Sequence, residues 1–403
     1  MDHKVDKTQI RNILSIRYNP HDKTQFFRAS PSNFKNKYQD DDGLKTQELL
    51  KQSILKKIPD DGETITISLS SGIDSSLLLG LLRKTFPKRK IVSICGIFEN
   101  GFNESKRAKL IAQKFDSDFI TVEMDSIFVN MPELINMTKK PRWNSFHHII
   151  AKEAKKHGKY FVTGDGADEI FGGYTFRYNT FLNFLTKNHT WKSRVKFYLD
   201  CHNRDWVQDQ EKIFSSKINF NWNTIHNYFK PYFQNSLSPL QQVMLADFNG
   251  KLLFDFIPTS KSISKYYKLI GTPIFLDDEL IKFGLQLPLE QKYSFETNTG
   301  KIPLRKIAKR LKIRHIEEKR GFSPSLLFDW QKNGRDIYKI FINENSYLVK
   351  QKLIDLNWVN SAFNIVENDG DIRYLNRLIS IFAVEIWCRM FITKQIKNKI
   401  KLI

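Results

Sequence analysis

The 403-residue chain contains only three cysteines, Cys95, Cys201 and Cys388, far apart in sequence. That spacing excludes a CxxC metal or redox motif and supplies no disulfide framework, so a reducing compartment fits. An uncharged apolar run of about 18 residues is missing, which argues against a membrane-spanning helix. The N-terminal stretch MDHKVDKTQIRN lacks the apolar core of a secretory signal, and the expectation is a soluble, cytoplasmic protein. Internal repeats and low-complexity tracts are also lacking, which argues against solenoids and disordered tails. Neither the Gly-Lys-Ser/Thr of a Walker A loop nor a GxGxxG turn occurs.

Acidic residues are in short supply: 43 Asp and Glu face 64 Lys and Arg, a net charge of +21. Such a surplus attracts polyanions, ATP and RNA among them. The lysines are scattered, however, and in KTQELLKQSILKK and KIPLRKIAKRLKIR they recur on the polar sides of amphipathic helical patterns. A solvated lysine surface is favoured over a dedicated nucleic-acid face.

What is present is a globular pattern. Residues 1–43 show no clear periodicity and are expected to form an extended leader ending in Asp40-Asp41-Asp42-Gly43. A helix is predicted over Leu44–Lys57, with Leu49, Leu50, Ile54 and Leu55 on one side, and Pro59-Asp60-Asp61-Gly62 breaks it. The β-branched run Thr64–Leu69 predicts a strand, followed by Ser70–Ser76 and the helical LLLGLLRK. The pattern repeats with strands at Ile91–Phe98, Phe119–Val122 and Lys159–Thr163, and helices at Glu104–Phe115 and His147–His157. Strands alternating with helices imply an α/β fold with a doubly wound, mostly parallel sheet over 44–175. Beyond it, aromatic-rich segments such as TFRYNTFLNFL predict a mainly helical subdomain over 176–403.

Two loops carry chemistry. The turn Ser70-Ser71-Gly72-Ile73-Asp74-Ser75-Ser76 joins a strand to a helix N-terminus, where backbone N–H groups, hydroxyls and the helix dipole favour a phosphate. Asp74 supplies a carboxylate able to hold Mg²⁺ there; the alternative is an ordinary Ser-rich helix cap. The second loop, Thr163-Gly164-Asp165-Gly166-Ala167-Asp168-Glu169-Ile170-Phe171-Gly172-Gly173-Tyr174, directly follows the fourth strand. Beyond the carboxyl ends of parallel strands, both loops would face one crevice. An EF-hand is excluded because its ligand order is not kept.

The first turn resembles the SGGxDS loop of the ATP pyrophosphatase (PP-loop) superfamily, with Ser71 in place of the first glycine. The second resembles the GDGADELFGGY signature of the asparagine synthetase C-terminal family. Residues Lys301-Ile302-Pro303-Leu304-Arg305 and Lys319-Arg320-Gly321-Phe322-Ser323-Pro324 resemble that family's K-x-x-L-R and K-x-G-F-x-x-P segments. The likeness extends over about residues 44–392. It implies a Rossmann-like ATP-binding core and an ATP-dependent carbon–nitrogen ligase that activates a carboxylate as an acyl-adenylate. It further implies that Leu69, Ser70, Ser71, Gly72, Ile73, Asp74, Ser75, Ser76, Gly96, Thr163 and Gly164 bind ATP, and that Asp74 and Asp168 hold Mg²⁺. Asp165, Lys319 and Lys301 would serve the chemistry, Asp165 near the reacting carboxyl or amine and Lys301 facing the phosphates.

The family's acceptor segment is kept in Phe275-Leu276-Asp277, but Ile270 and Thr272 stand for its Glu and Arg, and Lys261-Ser262 for its Asp-Arg pair. The carboxylate is therefore aspartate or another acid. No N-terminal glutaminase cysteine is present, so nitrogen is expected from ammonia, an amine or a separate glutaminase subunit. Two rival readings share the fold: a PP-loop tRNA-modifying enzyme and a catalytically silent scaffold. Thiolating members of the first kind carry paired cysteines and lysidine-type members lack the acidic loop, whereas a scaffold is compatible with the altered acceptor segment.

Overall fold

In the computed structural model, residues 6–101, 103–143, 145–185, 189–202, 204–314, 325–397 and 401–402 are described. The four apolar runs form the expected strands: β1 (Ile65–Ser68), β2 (Ile91–Ile97), β3 (Asp118–Glu123) and β4 (Tyr160–Thr163). A fifth strand, β5 (Ile270–Pro273), completes a parallel sheet of order β3-β2-β1-β4-β5. β5 was not expected because Ile-Gly-Thr-Pro is short and carries two residues disfavoured in strands. Its edge position tolerates both, since one face of its backbone needs no partner strand. The residues read as a drifted acceptor segment, Ile270 and Thr272, are thus part of this strand, paired with Tyr160 and Val162.

Alternate strand residues feed two cores. Ile65, Ile67, Tyr160 and Val162 pack with helices Leu44–Lys57, Ile73–Thr85, Ser105–Lys114 and Ile302–Arg310 on one face. Val92, Ile94 and Phe161 pack with helices Ile127–Thr138, His147–His157, Ile257–Tyr266 and Ile372–Phe391 on the other. Helices on both faces make the sheet doubly wound, as expected.

Two features depart from the sequence reading. Lys7–Ile16, inside the stretch expected to be extended, is a helix capped by Asp6, whose carboxylate accepts from Thr8 N–H at 2.8 Å. Its apolar stripe Ile10, Ile13 and Leu14 is buried, but so are Asn12 and Ser15, which hide the periodicity. Beyond Tyr174 the chain is mainly helical, yet it returns β5 to the core sheet and forms the small hairpin β6 (Tyr293–Ser294) and β7 (Thr299–Gly300). Among the described residues no helix is long and apolar enough to cross a membrane.

The strand order fixes where a ligand can bind. From β1 the chain adds β2 and β3 on one side, and β4 and β5 lie on the other. The order in which strands are added therefore reverses between β1 and β4, and the crevice that opens at such a reversal lies beyond the carboxyl ends of those two strands.

Candidate active site at the sheet reversal

The turns after β1 and β4 both emerge at this crevice. Gly164, just past β4, lies so near the β1 turn that an added β-carbon would stand 3.3 Å from Asp74 Cβ. Asp74 occupies the first turn of helix Ile73–Thr85, and Asp168 the first turn of helix Ala167–Phe171. Both carboxylates reach one cation: Lys301 Nζ is 2.5 Å from Asp74 Oδ2 and 2.7 Å from Asp168 Oδ1. Those two oxygens are thus held no farther apart than the sum of the two distances.

Lys301 is pinned from its backbone. It follows β7 in the left-handed region, at φ +58°, and its N–H donates to the Phe171 carbonyl at 2.9 Å. A non-glycine residue in that region is strained, and such strain persists only where surrounding contacts over-determine it. Burial alone would lower the ammonium pKa, but Asp168 and Asp74 override it and raise the ammonium above its ordinary value. Lys301 was expected to face phosphates; here it bridges the two carboxylates.

The β1 turn is tied internally. Ser70 N–H donates to Ser75 Oγ at 3.0 Å, Gly72 N–H to Ser70 Oγ at 3.2 Å, and Ser76 Oγ to the Ser70 carbonyl at 3.3 Å. Gly72 caps the helix without any side-chain acceptor. Asp74 and Ser75 are thus not serving as the cap that the simpler reading of this turn requires, because one binds Lys301 and the other Ser70. Ser71 is fully buried, and both its N–H and its hydroxyl donate to Glu104, at 2.8 and 2.6 Å. Leu69 and Ile73 are buried beside the turn, and Leu69 N–H donates to the Ile94 carbonyl at 2.9 Å. Gly96 sits two residues farther along β2, on the same side of the sheet edge, paired with Val122.

Asp165 lies between two hydroxyls: Thr163 Oγ1 donates to Asp165 Oδ2 at 3.0 Å, and Ser260 Oγ at 2.8 Å. Ser260 is one residue before Lys261-Ser262, on helix Ile257–Tyr266. From the acceptor segment, Asp277 does not join the site; it caps helix Asp278–Leu285 and pairs with Lys56 at 3.0 Å. Lys319 lies outside the described residues, as do Gly321, Phe322, Ser323 and Pro324.

Two contacts escaped sequence reasoning, Glu104 on Ser71 and Ser260 on Asp165. Each joins residues at least 33 positions apart, and no local pattern announces such a pair.

The carboxylate pair fits a divalent cation. A cationic nitrogen already sits between two carboxylate oxygens, and Mg²⁺ characteristically takes one or two carboxylates plus substrate phosphate oxygens and water. Among the described residues no group of three or more His, Cys, Asp or Glu could hold a metal ion.

The family model for asparagine synthase matches residues 45–389. The chain belongs to the asparagine synthase family. Asparagine synthetase [glutamine-hydrolyzing] 1 of Bacillus subtilis is 34% identical over 116 residues, covering 26% of this chain and 17% of that protein. A putative asparagine synthetase [glutamine-hydrolyzing] of Mycobacterium tuberculosis is 33% identical over 132 residues, covering 32% of this chain and 20% of that protein. The chain thus spans a fifth or less of the curated family members it matches. Among solved structures, NMN synthetase from Francisella tularensis aligns over 56% of this chain and 94% of its own, at 14% identity and a TM-score of 0.25. NH3-dependent NAD synthetase from Campylobacter jejuni covers 53% and 97%, at 14% identity and a TM-score of 0.26. Scores this low bear on neither fold nor activity.

Proposed function

We propose that this chain is an ATP-dependent amide ligase that works through an acyl-adenylate. The observation that carries the reading is the meeting of Asp74 and Asp168 on one cation at the sheet reversal. ATP would lie with its phosphates against Ser70–Ser76 and its nucleoside along Thr163, Gly164 and Gly96. Asp74 and Asp168 would hold Mg²⁺, which when bound neutralises charge on the pyrophosphate.

In the first step a carboxylate oxygen of the substrate attacks the α-phosphorus, the α–β phosphoanhydride bond breaks, and pyrophosphate leaves. In the second, ammonia or an amine attacks the acyl carbon, AMP departs with the C–O bonding pair, and the nitrogen gives up a proton. Asp165, held by the Thr163 and Ser260 hydroxyls, would stand beside the bound nucleotide. It is our candidate for positioning the attacking nitrogen. Lys301 would hold the two carboxylates in register before nucleotide arrives, and Lys319 would stabilise charge developing at the reacting centre. The nitrogen source would be ammonia, an amine or a separate glutaminase subunit, and the acid aspartate or another carboxylic acid.

Exchange of labelled pyrophosphate into ATP, run against a panel of carboxylic acids, tests the reading. Stimulation by one acid, lost in Asp74→Asn and Asp168→Asn, is the expected result. Exchange that needs tRNA instead of a small acid would move the chain to the tRNA-modifying class, and none under any condition would leave a scaffold.

A further inference from the structure

Away from the sheet reversal, a cleft between the N-terminal helix and the helical region carries more positive charge than it balances. Among the described residues of its walls, Arg17, Lys251 and Arg377 face one carboxylate, Asp205. Arg17 pairs with Asp205, and Lys251 Nζ stands 3.7 Å from the same oxygen. Arg377, 1% exposed, spends one nitrogen on the Leu14 carbonyl at 2.9 Å, while among the described residues its Nε and Nη2 have no hydrogen-bond partner, nor does Arg17 Nε. Among the described residues nothing accepts a hydrogen bond from the Lys251 ammonium. His202, also in the wall, is neutral by construction: Nδ1 faces the Tyr198 carbonyl at 2.8 Å and Nε2 faces the Arg177 guanidinium at 2.8 Å. Asp255 and Asp247 also act on Arg17 and Lys251, but each is already paired with a guanidinium of its own, Asp247 with Arg177 and Asp255 with Arg142.

Charges withdrawn from water are tolerated when they are paired, and a surplus of one sign calls for a counter-ion. Burial, reinforced by Arg17, pushes the Lys251 ammonium down to about 7 against the opposing pull of Asp205 and Asp247. For Asp205, burial alone would raise the carboxyl, but Arg17, Lys251 and Arg377 hold it well below the usual carboxylate range. It stays ionised and is outnumbered. The cavity measures about 30 Å³, and since each water needs about 10–15 Å³ by the same measure, it admits two oxygen-sized atoms. Apolar and aromatic walls, Leu199, Phe229, Trp206 and Tyr18, line the remainder. Arg17, Lys251 and Asp205 are each partly exposed, at 14–17% of the side chain, so the cleft has a mouth.

We propose that this cleft binds a small carboxylate, its two oxygens in the cavity on Lys251 and Arg17 with Arg377 behind them and its hydrocarbon part running along the aromatic wall to the mouth. The assignment does not rest on the ligase reading, because neither ATP nor Mg²⁺ takes part. The apolar and aromatic lining selects a carboxylate, which carries a hydrocarbon part, over phosphate, which carries none.

The test titrates the full chain, without nucleotide or metal, with acetate, propionate and succinate, and with chloride and phosphate as comparators. Trp206 fluorescence and thermal shift are read together. A saturable response to a carboxylate at constant ionic strength, at least tenfold weaker in Lys251→Met and in Arg377→Met, is expected. Lys251→Met removes a buried charge and should fold; Arg377→Met serves as the second variant, and circular dichroism verifies both. The proposal is overturned if no carboxylate saturates below about 10 mM, if both folded variants bind as the parent does, or if chloride and phosphate bind as well as the carboxylates.

Discussion

The backbone of Gly173 lies directly against the Asp168 carboxylate: a β-carbon added there would stand 1.8 Å from Asp168 Oδ1 and 2.3 Å from Lys301 Cε. The glycine is required by space, since any side chain would enter the point where carboxylate and ammonium meet. Gly173→Ala must therefore push Asp168 or Lys301 aside. We expect a stability loss of about 1–3 kcal/mol, the usual range for forced overpacking, and a loss of pyrophosphate exchange far beyond what that destabilisation explains. Denaturant melts beside exchange rates separate the two; a folded, fully active Gly173→Ala protein would mean that Asp168 has no fixed place in the reaction.

Lys301 gives a test of the metal assignment that needs no turnover. In Lys301→Gln the carboxylates of Asp74 and Asp168 lose their shared cation and repel one another, at a cost of about 3 kcal/mol or more when such a partner is removed. Millimolar Mg²⁺ should restore much of this, because a divalent ion can take the place the ammonium left. The melting temperature of the variant is expected to rise with Mg²⁺ by several degrees more than that of the parent. Equal Mg²⁺ responses in the two proteins would remove the carboxylate pair as the metal site.

Much of this site was legible in the sequence, and the rest was hidden for identifiable reasons. The turn at Ser70–Ser76 and the loop at Thr163–Tyr174 are local patterns, and a parallel sheet necessarily sends both to one edge. Which strands are neighbours is not local: that β1 lies beside β4, and so sets Asp74 opposite Asp168, follows only from the strand order. The contacts of Lys301 with Asp74 and Asp168 were not foreseen, because its chain position gives no hint that the hairpin of β6 and β7 carries it between two acids. Ile270 and Thr272 were read only for their departure from an acceptor segment, and the edge strand they form was unforeseen because the run is short and holds Gly and Pro. The helix Lys7–Ile16 was missed because its buried face mixes Asn12 and Ser15 with its aliphatic residues.

Glu104 places a negative charge on a turn proposed to receive a polyphosphate. Its carboxylate accepts both donors of Ser71, the residue standing where the related loop has glycine. Replacement by a neutral amide keeps one acceptor for Ser71 and removes the repulsion toward ATP. We expect Glu104→Gln to bind ATP roughly 3- to 10-fold more tightly, equivalent to about 0.7–1.4 kcal/mol, with little change in melting temperature. Equilibrium binding of ATP without carboxylate substrate reads this directly. Weaker binding in the variant would show that Glu104 orders the turn for nucleotide and does not compete with it.

Lys292 supplies a prediction about pH. It is fully buried, with Nζ 3.2 and 3.3 Å from the carbonyls of Gly284 and Leu285 in the last turn of helix Asp278–Leu285, and 5.4 Å from the centre of the Phe34 ring. Those carbonyls favour a cation, but burial outweighs them and pushes the ammonium down to about 7. In the unfolded chain the same group titrates near 10.4. Between these values the unfolded state binds more protons than the folded one, so stability rises with pH. The penalty is complete below about pH 7 and is relieved as pH climbs toward 10, at no more than about 1.4 kcal/mol per pH unit. Lys292→Met, which keeps the length without the charge, is expected to be roughly 1–3 kcal/mol more stable than the parent at pH 6.5, the loss of two carbonyl contacts limiting the gain. That advantage should shrink steadily in urea melts at pH 8 and 9.5. A parallel pH dependence of the two proteins would mean that Lys292 keeps its proton throughout, held by the helix carbonyls against its burial.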